Sequence, residues 1–524
     1  MNKNTALNKE VLAYRLREAF LKYRDRTAIQ IGNQAWTYED LHQKALTISY
    51  SIQQSSGGEN TPVAILGAKT FMTYAGICGS LLASRAYMPL NLKFPAKRNY
   101  KMLAMSGARC IIADEESENM LSQLLIDDSV SYRIVVDSDM AKWSAEYPEH
   151  KFISLTGNDL ASGTEIHALP GDIAYLLFTS GSTGLPKGVP VSNENVCAYL
   201  DHMMSEWEFN EDDRFSHTFD LTFDLSVHDM MVCWLSGACL CVPEDDSPFR
   251  LASYIRDNKI SVWFSVPSVA VLMHKMRLLK KDAFNGLRIS FFCGEALPAG
   301  IADQWLEAVG GREVVNLYGP SEATIAISDY SWNAENKKSK NGIVCLGKAF
   351  DGQKFMLIDM DTLKPAGEEG ELCLGGSQVI NAYLDDDKLT EKYFVQLDGH
   401  PGEIWYRTGD LVYEDKDGDL FFLGRADSEV KISGYRVNLF EIDAAIRKAA
   451  GTEMVASVLH EKLSPAIVSF VSGNLSMGEP EIIQSCKKEL PWYMIPERII
   501  FVDEMPLNIN GKIDRNKLKQ SLNG

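Results

Sequence analysis

Between residues 60 and 350 the chain alternates two textures, and this alternation restricts the fold more than any other feature. Short apolar runs rich in β-branched residues recur: TPVAILGA, ARCIIAD, YRIVVDS, DIAYLLFTS, VWFSVPS and LRISFFCGEA. Periodic amphipathic stretches such as FMTYAGICGSLLASRA and PAGIADQWLEAVG follow them. Strand–helix alternation of this kind predicts parallel sheets covered by helices. After about residue 345 the texture changes. GKAFDGQKFMLIDMDTLKPAGEEGELCLGG and GDLVYEDKDGDLFFLGRADSEVKISGYRV read as hairpins with turn residues between their strands. The last hundred residues return to mixed α/β texture, from NLFEIDAAIRKAAG to RIIFVDEMPLNINGKIDR. The expected fold class is therefore α/β: a large N-terminal domain of layered α/β subdomains, a β-rich subdomain, and a small α+β C-terminal domain. No repeat of 20 to 50 residues and no low-complexity linker interrupts it.

Composition narrows the partners. The 52 basic and 71 acidic residues leave a net charge of −19. An acidic surface repels phosphodiester backbones and anionic lipid, so nucleic acid and membrane are not expected partners. The longest apolar run, 230–242, contains Ser236 and Gly237. It falls short of the roughly 20 residues that span a bilayer. The polar start leads into the amphipathic VLAYRLREAFLKY, unlike a signal peptide. Ten scattered cysteines, with one CxC (Cys239, Cys241) and no CxxC, suit buried thiols in the cytoplasm better than zinc or disulfides.

One loop carries chemistry on its face. Thr179, Ser180, Gly181, Ser182, Thr183 and Gly184 lead through Leu-Pro to Lys187, directly after the strand IAYLLF. Glycines let backbone N–H groups close around anionic oxygens, hydroxyls add donors, and Lys187 adds a point charge for phosphate. A Walker A loop would need the lysine directly after a glycine and a Ser or Thr after it. No GxSxG elbow supports a serine hydrolase.

TSGSTGLPKG resembles the signature of adenylate-forming enzymes: acyl-CoA synthetases, luciferases and adenylation domains of nonribosomal peptide synthetases. Seven further strings extend the resemblance in order: WTYED near residue 36, FDLSVHDM at 223–230, NLYGPSEAT at 316–324, GELCLGG at 370–376, YRTGD at 406–410, GRADSEVKISGYRV at 424–437 and NGKIDR at 510–515. The resemblance implies ATP and Mg²⁺ as cofactors and a two-step reaction, acid plus ATP giving acyl-adenylate plus pyrophosphate, then thiol attack. A carboxylate approaching the α-phosphate brings two anions together, which demands cations and oriented donors.

The same resemblance assigns roles. Glu322 is the Mg²⁺-linked carboxylate, and Lys512 the catalytic cation bridging substrate carboxylate and α-phosphate, alongside Lys187. Tyr318 stacks on adenine, Asp410 accepts the ribose hydroxyls and Arg425 contacts ribose or phosphate. Gly294, Glu295, Ala296, Asn316, Gly319, Ser321 and Phe422 complete the nucleotide site. Asp427 is the hinge between an adenylation core, 1–426, and a mobile C-terminal domain, 427–524. Gly434 lets a pantetheine arm pass. Asn193, Ser433 and Asn438 depart from the family's usual residues. Retention of Lys187, Glu322, Asp410, Arg425 and Lys512 argues against a non-catalytic homologue.

Asp224 in FDLSVHDM stands where amino-acid-activating members place the carboxylate that pairs with the substrate ammonium; helix capping is its other reading. Leu225, His228, Ser268, Phe291, Cys293, Leu317, Ile325 and Ala326 match the remaining wall of the substrate pocket. Four of these are bulky and apolar, and none is charged if His228 is neutral, so they fit a small neutral amino acid. FFCGEALP and WFSVPS are similar to D-alanine–carrier protein ligases, so alanine of either chirality comes first. Proline is second, serine or glycine follow, and a small-acid CoA ligase is the alternative. Leu374–Ser377, the one LGGS string, reads as a hairpin strand and not as a carrier site. The acceptor is therefore expected to be a separate phosphopantetheinylated carrier protein.

Overall fold

The computed structural model describes residues 8–55, 61–126, 130–137, 141–155, 165–180, 186–244, 248–425, 429–452, 454–460, 465–473, 477–506 and 513–522. The chain divides into two compact units, one of 1–91, 105–177 and 188–426, the other of 92–104, 178–187 and 427–524.

The larger unit is built on sheets whose strands are buried on both faces. Val63–Leu66, Tyr87–Leu90 and Cys110–Ala113 are buried at every position and run parallel. Burial on both faces explains why they read as continuous apolar runs without alternation. They belong to a seven-stranded sheet that also contains Arg133–Val136, Lys151–Ser154, Ile173–Thr179 and Lys187–Ser192. A nine-stranded sheet has a parallel centre made of Thr27–Ile31, Cys239–Val242, Arg214–Ser216, Val262–Ser265, Ile289–Phe292 and Glu313–Tyr318. Antiparallel strands close both its edges. The β-rich part follows as expected: Lys354–Ile358, Glu369–Gly375, Trp405–Glu414 and Leu420–Arg425 form antiparallel ladders. The LGGS string begins inside Glu369–Gly375, in keeping with its reading as strand.

The run 230–242 proves to be two elements. Leu225–Ser236 is a helix that ends at Gly237 with φ 82°, and Cys239–Val242 is a strand. A side chain at Gly237 would place its Cβ 2.6 Å from the Tyr23 ring, so both backbone conformation and space call for glycine. No helix among the described residues is long and apolar enough to cross a membrane. All ten cysteines are unbridged and buried.

In the smaller unit, Val455–His460, Ala466–Val471 and Arg498–Phe501 form a mixed sheet. The helices Leu439–Ala450, Glu479–Cys486 and Arg515–Ser521 accompany it. The hairpin Glu429–Ile432/Tyr435–Asn438 turns at Ser433 and Gly434, both with positive φ (49° and 82°). A two-residue turn with φ > 0 at both positions matches the twist of a hairpin. This geometry by itself accounts for the glycine at 434.

Candidate active site

At the end of Glu313–Tyr318 the chain makes a strained loop. Gly319 has no room for a side chain: a Cβ would lie 2.6 Å from the Cα of Ala326. The short turn Ser321–Ala323 follows, and then Thr324 and Ile325 both adopt positive φ, 57° and 73°. Two successive β-branched residues in the left-handed region are a marked departure from ordinary backbone, and strain of this kind concentrates at functional sites. Gln378 holds the loop. Its side-chain amide donates to the Ala326 carbonyl at 2.6 Å, while its main-chain carbonyl accepts from Thr324 Oγ1 at 2.6 Å.

This loop delivers Glu322. Its side chain is fully buried, and the Tyr383 hydroxyl donates to its Oε1 at 2.7 Å. A carboxylate held in place by a hydroxyl suits Mg²⁺, which takes one or two carboxylates together with substrate phosphates. Neither Tyr383 nor Gln378 was marked by sequence. Their positions, 61 and 52–55 residues from their partners, follow from the fold and not from any local motif.

Tyr318, Asp410 and Arg425 meet. The Tyr318 hydroxyl donates to Asp410 Oδ2 at 2.6 Å, and Arg425 Nη1 donates to Oδ1 at 2.6 Å. Arg425 stands opposite Asp410 in the ladder, and its Nη2 donates to the Thr408 carbonyl at 3.1 Å. Burial, then the neighbouring Asp410, raises the Tyr318 pKa well above the usual phenol value, so it remains a donor. Asn316 donates to the Cys345 carbonyl at 2.8 Å, tying two segments together. Gly294, with φ 88°, precedes Glu295, which accepts the backbone N–H of Ser268 at 2.9 Å. Ala296 is exposed, and Ser321 and Phe422 are half-buried.

Asp224 precedes the helix Leu225–Ser236, is 5% exposed, and does not cap it. The capping reading is thereby removed. His228, one turn on, is fully buried and shares a 2.7 Å hydrogen bond between its Nδ1 and the Tyr199 hydroxyl. Burial pushes its pKa down to about 3, so the ring is neutral at pH 7. Phe264 and Phe291 lie edge-on to it, at 4.6 and 5.4 Å between ring centroids. Leu225, His228, Phe291, Cys293, Leu317, Ile325 and Ala326 are each no more than 2% exposed, and Ser268 is half-buried.

In the smaller unit, Ser180 Oγ donates to the Arg436 carbonyl at 2.6 Å and accepts from Asn438 N–H at 3.0 Å. The Thr179 hydroxyl is buried without a hydrogen-bond partner among the described residues. Lys187 is buried at the start of Lys187–Ser192. Gly181, Ser182, Thr183, Gly184, Asp427 and Lys512 lie outside the described residues. Two of the departures from family usage serve the fold. Asn193 donates to the Leu169 and Asp172 carbonyls, and Asn438 accepts from Phe440 N–H as a helix cap.

One acidic cluster resembles a cation loop and is already filled. Asp415, Asp417 and Asp419 bring oxygens within 4.8 Å of one another. Lys338 Nζ lies 3.0 Å from Asp415 and 2.8 Å from Asp417, and also bonds Asp419. Hydrogen bonds to Asp417, Asp419 and Asp415 raise the lysine's pKa and keep it charged. Millimolar Ca²⁺ should therefore leave the melting temperature of the wild type unchanged. Lys338→Ala should gain about 2–5 °C on adding Ca²⁺, as a ligand binding only the folded state stabilises it. Calorimetric melting with and without Ca²⁺ checks this, and a variant indifferent to Ca²⁺ refutes it.

Parallel sheets, a strained loop presenting a buried carboxylate, and a Tyr–Asp–Arg cluster together define an adenylate-forming enzyme. The chain belongs to the AMP-binding enzyme family, whose model matches residues 16–384. The Vibrio cholerae adenylation domain AlmE, solved in complex with glycyl-adenosine-5′-phosphate, is similar at 31% identity and a TM-score of 0.86, over 98% of this chain and 97% of that one. The D-alanine–D-alanyl carrier protein ligase of Bacillus velezensis is 29% identical over 500 residues, 93% of this chain and 94% of that protein. Surfactin synthase subunit 3 of Bacillus subtilis is 28% identical over 513 residues, 97% of this chain. The chain spans 38% of that synthase and 7% of tyrocidine synthase 3 of Brevibacillus parabrevis.

Proposed function

We propose that this chain is an AMP-forming ligase that joins a small neutral amino acid, alanine or glycine, to AMP and passes the aminoacyl group to the phosphopantetheine thiol of a carrier protein. Asp224 carries the reading. A carboxylate at 5% exposure, whose side chain makes no cap hydrogen bond to its helix, suits a cationic ligand group, and the substrate ammonium supplies one. The closed wall supports a small side chain. Walls of a site for a large side chain would be open to water before substrate enters. Here seven of the matched positions are at most 2% exposed, which favours a methyl group or a hydrogen over the ring of proline.

ATP and Mg²⁺ fit the same reading. Glu322, held by Tyr383, would hold the metal beside the phosphates, and the metal would offset their charge. Asp410 and Arg425 would take the ribose, Tyr318 the adenine, and Thr179 to Lys187 the phosphates, with Lys512 arriving from 427–524 to bridge the reacting anions. The alanine-size preference is shared with the name of the Bacillus velezensis ligase, and the glycine option with the adenylate bound to AlmE.

Amino-acid-dependent ATP–pyrophosphate exchange over L-alanine, D-alanine, glycine, L-serine and L-proline tests the proposal. Exchange should be greatest with glycine or one alanine enantiomer. Methylene-scale discrimination among them is worth only about 1–3 kcal/mol, so several will react. Exchange with no amino acid would refute the reading. Transfer to coenzyme A and not to a holo-carrier, read by intact mass, would convert it to a CoA ligase.

A further inference from the structure

The motifs GELCLGG and YRTGD contribute only Asp410 to the nucleotide site as read so far, and their other polar residues are engaged around it. The strands Glu369–Gly375 and Trp405–Glu414 pair with Glu371 opposite Leu411 and Cys373 opposite Arg407. Leu372 alone therefore faces Thr408, Gly409 and Asp410, a bulge of three residues against one. A bulge bends its strand, re-aims a side chain and leaves ladder groups unpaired. Buried backbone N–H groups must then find acceptors elsewhere. Here side chains supply them. Glu371 Oε1 accepts the Gly409 N–H at 3.1 Å, and Thr408 Oγ1 accepts the Asp410 N–H at 3.0 Å. Both acceptors are themselves fixed. The Thr408 hydroxyl donates to the Leu372 carbonyl at 2.7 Å, and Arg407 donates to Glu371 Oε2 through Nε at 3.0 Å and Nη2 at 2.5 Å. Glu371 and Thr408 are each 2% exposed, so bulk water is not there to replace either acceptor.

The bulge ends on Asp410, whose carboxylate is 4% exposed and already shared by Tyr318 and Arg425. Its direction depends on the backbone that carries it. We infer that Glu371 and Thr408 are positioning residues: they hold the bulge that aims the Asp410 carboxylate, and through it they set how well the enzyme distinguishes a ribonucleotide from one lacking the sugar hydroxyls. This rests on the reading of Asp410 as the ribose acceptor. It adds that sugar selectivity is built into two side chains other than the one that meets the sugar. The Glu371 oxygens are occupied by Gly409 and Arg407, which fits a part in holding the strand and not in binding a ligand.

The test compares ATP with 2′,3′-dideoxyATP by titration calorimetry on the full chain with MgCl₂ and no amino acid. The wild type should bind ATP roughly tenfold to hundredfold more tightly, since the dideoxy sugar offers nothing to a charged acceptor. Thr408→Val keeps the shape and removes the hydroxyl; it should cut that ratio about fivefold or more and leave dideoxyATP affinity unchanged. Thr408→Ser should restore the ratio. Glu371→Leu should behave as Thr408→Val does, and Glu371→Gln should keep the ratio within about threefold, because an amide oxygen still accepts the Gly409 N–H. General damage to the site would weaken both nucleotides alike. Equal loss for both in Thr408→Val and Glu371→Leu, or an unchanged ratio in both, overturns the inference. Asp410→Ala tests the reading beneath it. A ratio near one in Asp410→Ala beside an unchanged ratio in Thr408→Val refutes the positioning role alone, whereas a wild-type ratio in Asp410→Ala refutes the ribose reading and the inference with it.

Discussion

Lys512→Ala should lower amino-acid-dependent ATP–pyrophosphate exchange by about 10²–10³-fold while the protein stays folded. The proposed role is electrostatic. In the first half-reaction a carboxylate oxygen attacks an α-phosphate, and both groups are negative before they meet. A compact ammonium between them stabilises charge most where it is most concentrated, so its removal falls on kcat more than on binding. The described residues that follow in sequence are well held. Asp514 N–H donates to the Pro506 carbonyl at 2.8 Å, and Asp514 caps the helix Arg515–Ser521 by accepting from Lys517 N–H. Arg515 pairs with the buried Asp443 and donates to the Ser457 carbonyl. Lys512→Arg should rescue poorly because the guanidinium is larger and planar. Steady-state exchange with ATP and the amino acid varied separately provides the check. Exchange within threefold of the wild type would remove Lys512 from the chemistry.

Asp224→Ala should lower kcat/KM for the amino acid by roughly 10²–10³-fold, with ATP affinity unchanged. Leaving one partner of a buried charge pair unopposed costs about 3–5 kcal/mol, and here the stranded partner would be the substrate's ammonium. A second readout separates this role from a structural one. In the variant, acids lacking an ammonium group, such as propionate, should gain relative to alanine, because the penalty attaches only to the cationic substrate. Equal loss of ATP and amino acid binding would return Asp224 to a purely structural part. The helix Leu225–Ser236 should tolerate the change, since the Asp224 side chain does not cap it.

Much of the fold can be read from the chain because its central strands are covered on both sides. VAIL at 63–66 and CIIA at 110–113 have no polar position to confuse the pattern. The hairpins after residue 345 announce themselves through turn residues, and the site motifs through their order. What could not be read lies in pairings over long separations. Tyr383 reaches Glu322, Gln378 reaches Ala326, and Lys338 reaches aspartates nearly eighty residues on. Each of those side chains is locally unremarkable. DKDGD reads as hairpin turn residues, and only the folded chain reveals the ammonium seated among its aspartates. Gly434 shows the converse: the resemblance gives it a role in passing the acceptor, while the Ser433–Gly434 turn already calls for glycine.

The burial of all ten cysteines has a practical consequence. Thiolates, not thiols, react with disulfide reagents; burial pushes the thiol pKa of Cys110 and Cys486 to about 11 and that of Cys197 and Cys373 to about 12, whereas a hydrogen bond with Cys241 lowers that of Cys239, which burial alone shields. The folded enzyme should therefore be nearly silent toward a chromogenic thiol reagent. Loss of the proposed acceptor's sulfhydryl could then be read in timed aliquots against a dark background, giving the proposed second half-reaction an optical clock without labelled substrate.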